Sequence, residues 1–101
     1  MAKRIVWSSR ADRIFTKTLE FYIERNGSKT YSHKLNNEVL SIIAMLSKQP
    51  FLGIKTNAGN LRVVIKGDLK IFYQIEIDRL IIHLVWDCQQ NPKSLNLNTE
   101  P

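Results

Sequence analysis

Between Leu61 and Asp87 apolar and polar residues alternate in three short runs separated by turn formers, the pattern of three antiparallel strands. Ile71, Tyr73, Ile75 and Ile77 alternate with Lys70, Phe72, Gln74 and Glu76, and Asp78-Arg79 offers a two-residue turn into Leu80, Ile82, Leu84 and Trp86. That turn sets Ile77 against Leu80, Ile75 against Ile82, Tyr73 against Leu84 and Ile71 against Trp86, so one face of the hairpin is wholly apolar. The other face collects Lys70, Phe72, Gln74, Glu76, Ile81, His83, Val85 and Asp87. One strand earlier, a two-residue turn at Gly67-Asp68 would set Arg62 opposite Tyr73 and mix charge into the apolar face. A connection of Gly67, Asp68 and Leu69 keeps the faces separate: Leu61, Val63 and Ile65 join the apolar face, and Arg62, Val64 and Lys66 the polar one. The expectation is a basic cluster of Arg62, Lys66, Lys70 and His83, with Asp87 opposite Lys70 as a partner for its charge.

Upstream the period changes. Arg4 to Trp7 reads as a short strand, and Ser8-Ser9 as a helix N-cap with Asp12 following. From Arg10 to Arg25 the residues Ala11, Ile14, Phe15, Leu19, Tyr22 and Ile23 follow helical spacing, and Asn26-Gly27 supplies a left-handed end. Ser28 is placed to cap a second helix, whose stripe is Tyr31, Leu35, Val39, Ile42, Ile43 and Leu46 and which stops before Pro50. So short a link forces an antiparallel helical hairpin. Residues 50–60 read as a loop long enough to carry function. The expected fold is α+β and two-layered: an antiparallel helical hairpin on one face of a mainly antiparallel four-stranded sheet, in the order β-α-α-β-β-β. It occupies residues 1–92, followed by a polar, flexible tail at 93–101.

A chain of 101 residues suits one domain with one core. Fifteen Lys and Arg against nine Asp and Glu leave a net charge of +6, which favours acidic partners such as nucleic acid or an acidic protein. Cys88 is the only cysteine, which excludes an intramolecular disulfide and any cysteine-rich metal cluster; no metal or cofactor is expected. No apolar run reaches the length of a membrane span and no secretory h-region follows the first charges, so the expectation is a cytoplasmic protein with no membrane partner. An open sheet face carrying Arg62, Lys66, Lys70 and His83 amid Val64, Phe72 and Val85 suits a polyanion with flat groups, cations meeting phosphates while an aromatic ring stacks a base.

Trp7-Ser8 before the first helix, Tyr22-Ile23 near its end, the run from Leu46 to Gly53, Leu61-Arg62, the run from Gly67 to Tyr73 and the run from Trp86 to Pro92 resemble the RelE/ParE toxin superfamily of bacterial type II toxin–antitoxin systems. The resemblance covers about residues 3 to 92. It implies a toxin that slows growth, a cognate antitoxin encoded beside it, and operator DNA bound only through the complex of the two. RelE-like members cut mRNA in the ribosome. For them it implies Arg62, Lys70 and His83 as catalytic residues and Lys66, Phe72, Gln74 and Lys55 as substrate contacts. Lys70 stands where many members carry Arg, which keeps the charge and loses the planar fork, and Trp86 to Gln90 lacks the Arg and Tyr that many ribosomal nucleases place there. ParE-like members bind DNA gyrase and need no catalytic set. Outside the resemblance, the same basic residues read as solvated surface charges, His83 as a cross-strand contact of Gln74, and the chain as a basic module that binds nucleic acid or an acidic protein.

Overall fold

The computed structural model describes residues 2–89; the expected tail at 93–101 and the segment from Gln90 to Pro92 lie outside the described residues. In chain order the elements are β1 (Arg4–Trp7), α1 (Ser9–Asn26), α2 (Thr30–Lys48), β2 (Ile54–Lys55), β3 (Leu61–Lys66), β4 (Leu69–Ile75) and β5 (Arg79–Asp87). The strands form one sheet in the order β1-β5-β4-β3-β2. Its pairs are antiparallel except β1, which lies parallel to β5 across the helical crossover. This is the expected α+β architecture, with a fifth strand where a loop was expected: Ile54 pairs with Val63 and Lys55 with Arg62.

Local signals set the helices. The Ser8 hydroxyl accepts the Ala11 N–H at 3.0 Å, and the Ser8 N–H donates to the Ile82 carbonyl, so the cap is also fixed to the sheet. Gly27 closes α1 in the left-handed region at φ 68°, where glycine has no Cβ to clash. Lys29 takes the cap position of α2, while the Ser28 hydroxyl accepts the Thr30 N–H at 3.3 Å. The predicted stripe of α2 is buried from Leu35 to Leu46, and only Tyr31 remains partly outside. It meets Ala11, Phe15 and Tyr22 of α1 and Ile71, Tyr73, Leu80 and Ile82 of the sheet in the main core, where Trp7 stacks on Phe15 at 5.8 Å.

The sheet register departs from expectation in three places, two of which move side chains between faces. Lys66 pairs with Leu69, so Gly67-Asp68 is the two-residue turn after all, with Gly67 at φ 59°, and Arg62 stands opposite Tyr73. Arg62, Val64 and Lys66 therefore lie on the helix side, and Leu61, Val63 and Ile65 on the far side. At the next turn Ile75 pairs with Leu80 and the Glu76 N–H donates to the Arg79 carbonyl. Ile77 and Asp78 form the tip, and Ile77, expected in the core, is 97% exposed. Finally, Tyr73 pairs with Ile82 but Phe72 with Leu84, so β5 carries one extra residue, His83, as a β-bulge. Past it the faces exchange: Val85 and Asp87 turn to the helices, and Leu84 and Trp86 to the far side.

The far face thus holds a small apolar cluster instead of a basic field. Val63, Phe72 and Leu84 are buried there, with Trp86 and the Ile14 side chain of α1 packed against them.

Candidate functional site

The expected site divides between the two sides of the sheet. Lys70 pairs with Trp86 and with Ile65 on the far face, where Gln74 also lies. His83 joins them through a 3.0 Å hydrogen bond between its Nε2 and the Gln74 Oε1, which fulfils the cross-strand alternative. Arg62 and Lys66 lie on the helix side, and Lys55, paired with Arg62, shares that side at the edge of the sheet. Lys66 reaches Glu38 of α2 at 3.5 Å, an exposed pair worth little in stability. Phe72 is only 5% exposed, so its ring packs in the far-face cluster and presents no stacking surface. The expected single basic cluster is therefore corrected to two separate groups, because one two-residue turn shifts β3 by one position.

Arg62 is held by the segment between α2 and β2. Its Nη1 donates to the Gly53 carbonyl at 2.7 Å, and its Cζ lies 4.9 Å from the centre of the Phe51 ring, a cation–π contact. The same segment is gripped from beneath by Tyr73, fully buried on β4, whose hydroxyl accepts the Gly53 N–H at 2.8 Å and donates to the Pro50 carbonyl at 2.7 Å. Burial raises the Tyr73 phenol above its ordinary pKa, against the lowering effects of the Gly53 N–H and Arg62, so it stays a neutral donor. A Cβ on Gly53 would stand 2.5 Å from the Tyr73 hydroxyl oxygen and 2.8 Å from the Val63 carbonyl oxygen, so this approach requires glycine. With the loop backbone anchored inward, Phe51 (71% exposed) and Leu52 point outward. Phe51, Lys55, Asn60, Leu61, Arg62 and Ile75 surround a cavity of about 350 Å³ at this corner of the sheet.

A second polar group lies where β5 passes α1. Asp87, expected beside Lys70, is buried on the helix side after the bulge and accepts hydrogen bonds from the Tyr22 hydroxyl at 2.5 Å and the Gln89 N–H at 2.9 Å. Burial, then the hydrogen bond and charge of Asp87, push the Tyr22 phenol well above its usual range. Tyr31 stacks edge-on against Tyr22 at 4.7 Å, and its own phenol is raised chiefly by burial. Tyr31, Glu38, Lys66, Asp68, Asp87 and Gln89 line a cavity of about 310 Å³.

Among the described residues no group of three His, Cys, Asp or Glu side chains is placed to hold a metal ion, and no helix is long and apolar enough to cross a membrane. Phe51, Asn60 and the Tyr22–Asp87 pair were not singled out as site residues from the sequence. The available signal was the Phe51-Leu52 dipeptide inside an otherwise polar, Pro- and Gly-bounded segment.

No protein-family model matches this chain, and comparison with curated proteins gives no match. Among solved structures the chain is similar to one from the "Chromosomal ParDE TA system from P. aeruginosa", at 10% identity and a TM-score of 0.73, over 85% of this chain and 96% of that one. The chain therefore has the fold of a chain of a ParDE toxin–antitoxin system, the fold that its RelE/ParE-like motifs imply.

Proposed function

We propose that this protein is the toxin component of a type II toxin–antitoxin system, held inactive by a cognate antitoxin. The observation that carries the reading is a fold shared over 85% of the chain with a ParDE system chain, in a sequence whose motifs independently resemble the RelE/ParE superfamily.

For the mode of action, the division of the basic residues supports inhibition by binding, with DNA gyrase as the target. Ribonucleolytic chemistry needs a base, an acid and a cation around one phosphate. Arg62 lies across the sheet from Lys70 and His83, and its guanidinium already holds Gly53 and Phe51. A second reading, ribosome-dependent mRNA cleavage, draws support from Lys70, Gln74 and His83 on one face. The test is inducible expression in a bacterium with pulse labelling of DNA, RNA and protein synthesis. Early arrest of DNA synthesis is expected. Early arrest of protein synthesis replaces gyrase with the ribosome, and unchanged growth in cells making folded protein removes the toxin reading.

A further inference from the structure

Between α2 and β3 the chain turns apolar side chains outward. In the five residues from Phe51 to Lys55 only Gly53 is buried, while Phe51, Leu52 and Ile54 are 71%, 48% and 63% exposed. Single exposed apolar side chains are ordinary; three within four residues, one of them aromatic, are a stretch that the fold leaves uncovered. The segment is nevertheless fixed. The Tyr73 hydroxyl holds Pro50 and Gly53 from beneath, and the Arg62 guanidinium donates to the Gly53 carbonyl and lies 4.9 Å from the centre of the Phe51 ring. An aromatic anchor ordered beforehand loses less freedom when it is buried, which is what makes an interface hot spot. Phe51 also stands between two open hollows, one lined by Lys55 and Arg62 and the other by Lys48, and neither lining contains a carboxylate.

We propose that this corner is the surface by which the protein grips its inhibited target, with Phe51 and Leu52 entering an apolar pocket whose rim carries carboxylates facing Lys48 and Lys55. The inference rests on the reading of inhibition by binding and names the contact surface for it. Charge selects the occupant. A second copy of this chain would set its own lysines against Lys48 and Lys55. A nucleic acid strand would leave Leu52 and Ile54 without apolar partners, and Arg62 is already engaged by Gly53 and Phe51.

The test is binding of purified DNA gyrase to the immobilised full chain, measured by surface plasmon resonance. Saturable binding of the wild type is expected, weakened about tenfold or more by Phe51→Ala, the loss that truncating a buried aromatic anchor brings. Lys55→Glu should weaken it far more than Lys17→Glu, an equal charge change on the exposed side of α1. All three positions are exposed, so circular dichroism should show native folding in each variant. If the wild type binds and Phe51→Ala binds equally well, or if Lys55→Glu and Lys17→Glu act alike, the assigned surface is wrong while the gyrase reading stands. If the wild type does not bind, the gyrase reading falls and this assignment falls with it. Binding of a fluorescein-labelled oligonucleotide, or self-association in sedimentation, that Phe51→Ala abolishes would give the corner to nucleic acid or to a second copy and overturn the proposal.

Discussion

Tyr22 of α1 and Asp87 at the end of β5 meet through a 2.5 Å hydrogen bond in which both residues are 4% exposed. The second Asp87 oxygen takes the Gln89 N–H, so the carboxylate is provided for inside the protein. Tyr22→Phe deletes the strongest of these donors and leaves a buried oxygen in need of one. The expected loss is about 1–3 kcal/mol, read as a lower urea midpoint at unchanged slope.

The same pair sets an alkaline limit. The fold holds the Tyr22 phenol neutral, with a pKa raised from the ordinary 10.0 by burial and by Asp87. A raised folded-state pKa gives stability that is complete below the unfolded value and declines as pH climbs from there towards the folded value. The stability gap between the wild type and Tyr22→Phe should therefore be constant at neutral pH and narrow above about pH 10. Thermal denaturation of both proteins across that range measures it.

Gly53→Ala forces a methyl group against the Tyr73 hydroxyl and the Val63 carbonyl, and the backbone atom has little room to yield. Overpacking of this kind costs about 1–3 kcal/mol. Tyr73→Phe costs a similar amount, by orphaning the Gly53 N–H and the Pro50 carbonyl. Because Tyr73→Phe also relieves the hydroxyl clash, the double variant should lose less than the sum of the single losses, which a double-mutant cycle by urea unfolding would show.

Ile77 and Ile82 alternate in the same apolar pattern yet sit at opposite extremes, 97% and 0% exposed. Ile77→Asp should change stability by no more than about 0.5 kcal/mol. Ile82→Ala should cost about 2–5 kcal/mol. Equal losses in calorimetry would contradict the turn at Ile77-Asp78.

If the protein inhibits growth by binding, Lys70→Ala and His83→Ala should each remain toxic when folded. A plate assay with graded induction reads this directly, and loss of toxicity in both would restore the cleavage reading.

The helices were legible because their signals are local: the Ser8 cap, the Gly27 terminus and the stripe from Leu35 to Leu46 all lie within a few residues of what they control. The sheet faces were legible only where the alternation is one-sided, as at Ile71 and Tyr73. Arg62 was assigned to the wrong face because a cation opposite Tyr73 looks costly until the Gly53 carbonyl and the Phe51 ring, both from a distant segment, are there to receive it. In Leu84-Val85-Trp86 every position is apolar, so both phases of the strand look alike and the bulge leaves no mark. β2, two residues long, is too short for any period, and of the 50–60 segment the sequence conveyed only that it was worth attention.

The extra residue at His83 resets the odd–even count of β5, so every later position belongs to the side opposite the one its number would give. The strand end is for that reason more tolerant of changed letters than of changed length. Deleting His83 would close the bulge and leave Leu84 opposite Phe72 and Val85 opposite Ile71, whereas one residue inserted after Leu84 would send Val85 and Asp87 out to the far surface and turn Trp86 towards the helices. Among changes of length in β5, deletion of His83 should therefore be the best tolerated and an insertion between Leu84 and Asp87 the most damaging, because the pairing of Tyr22 with Asp87 depends on that count.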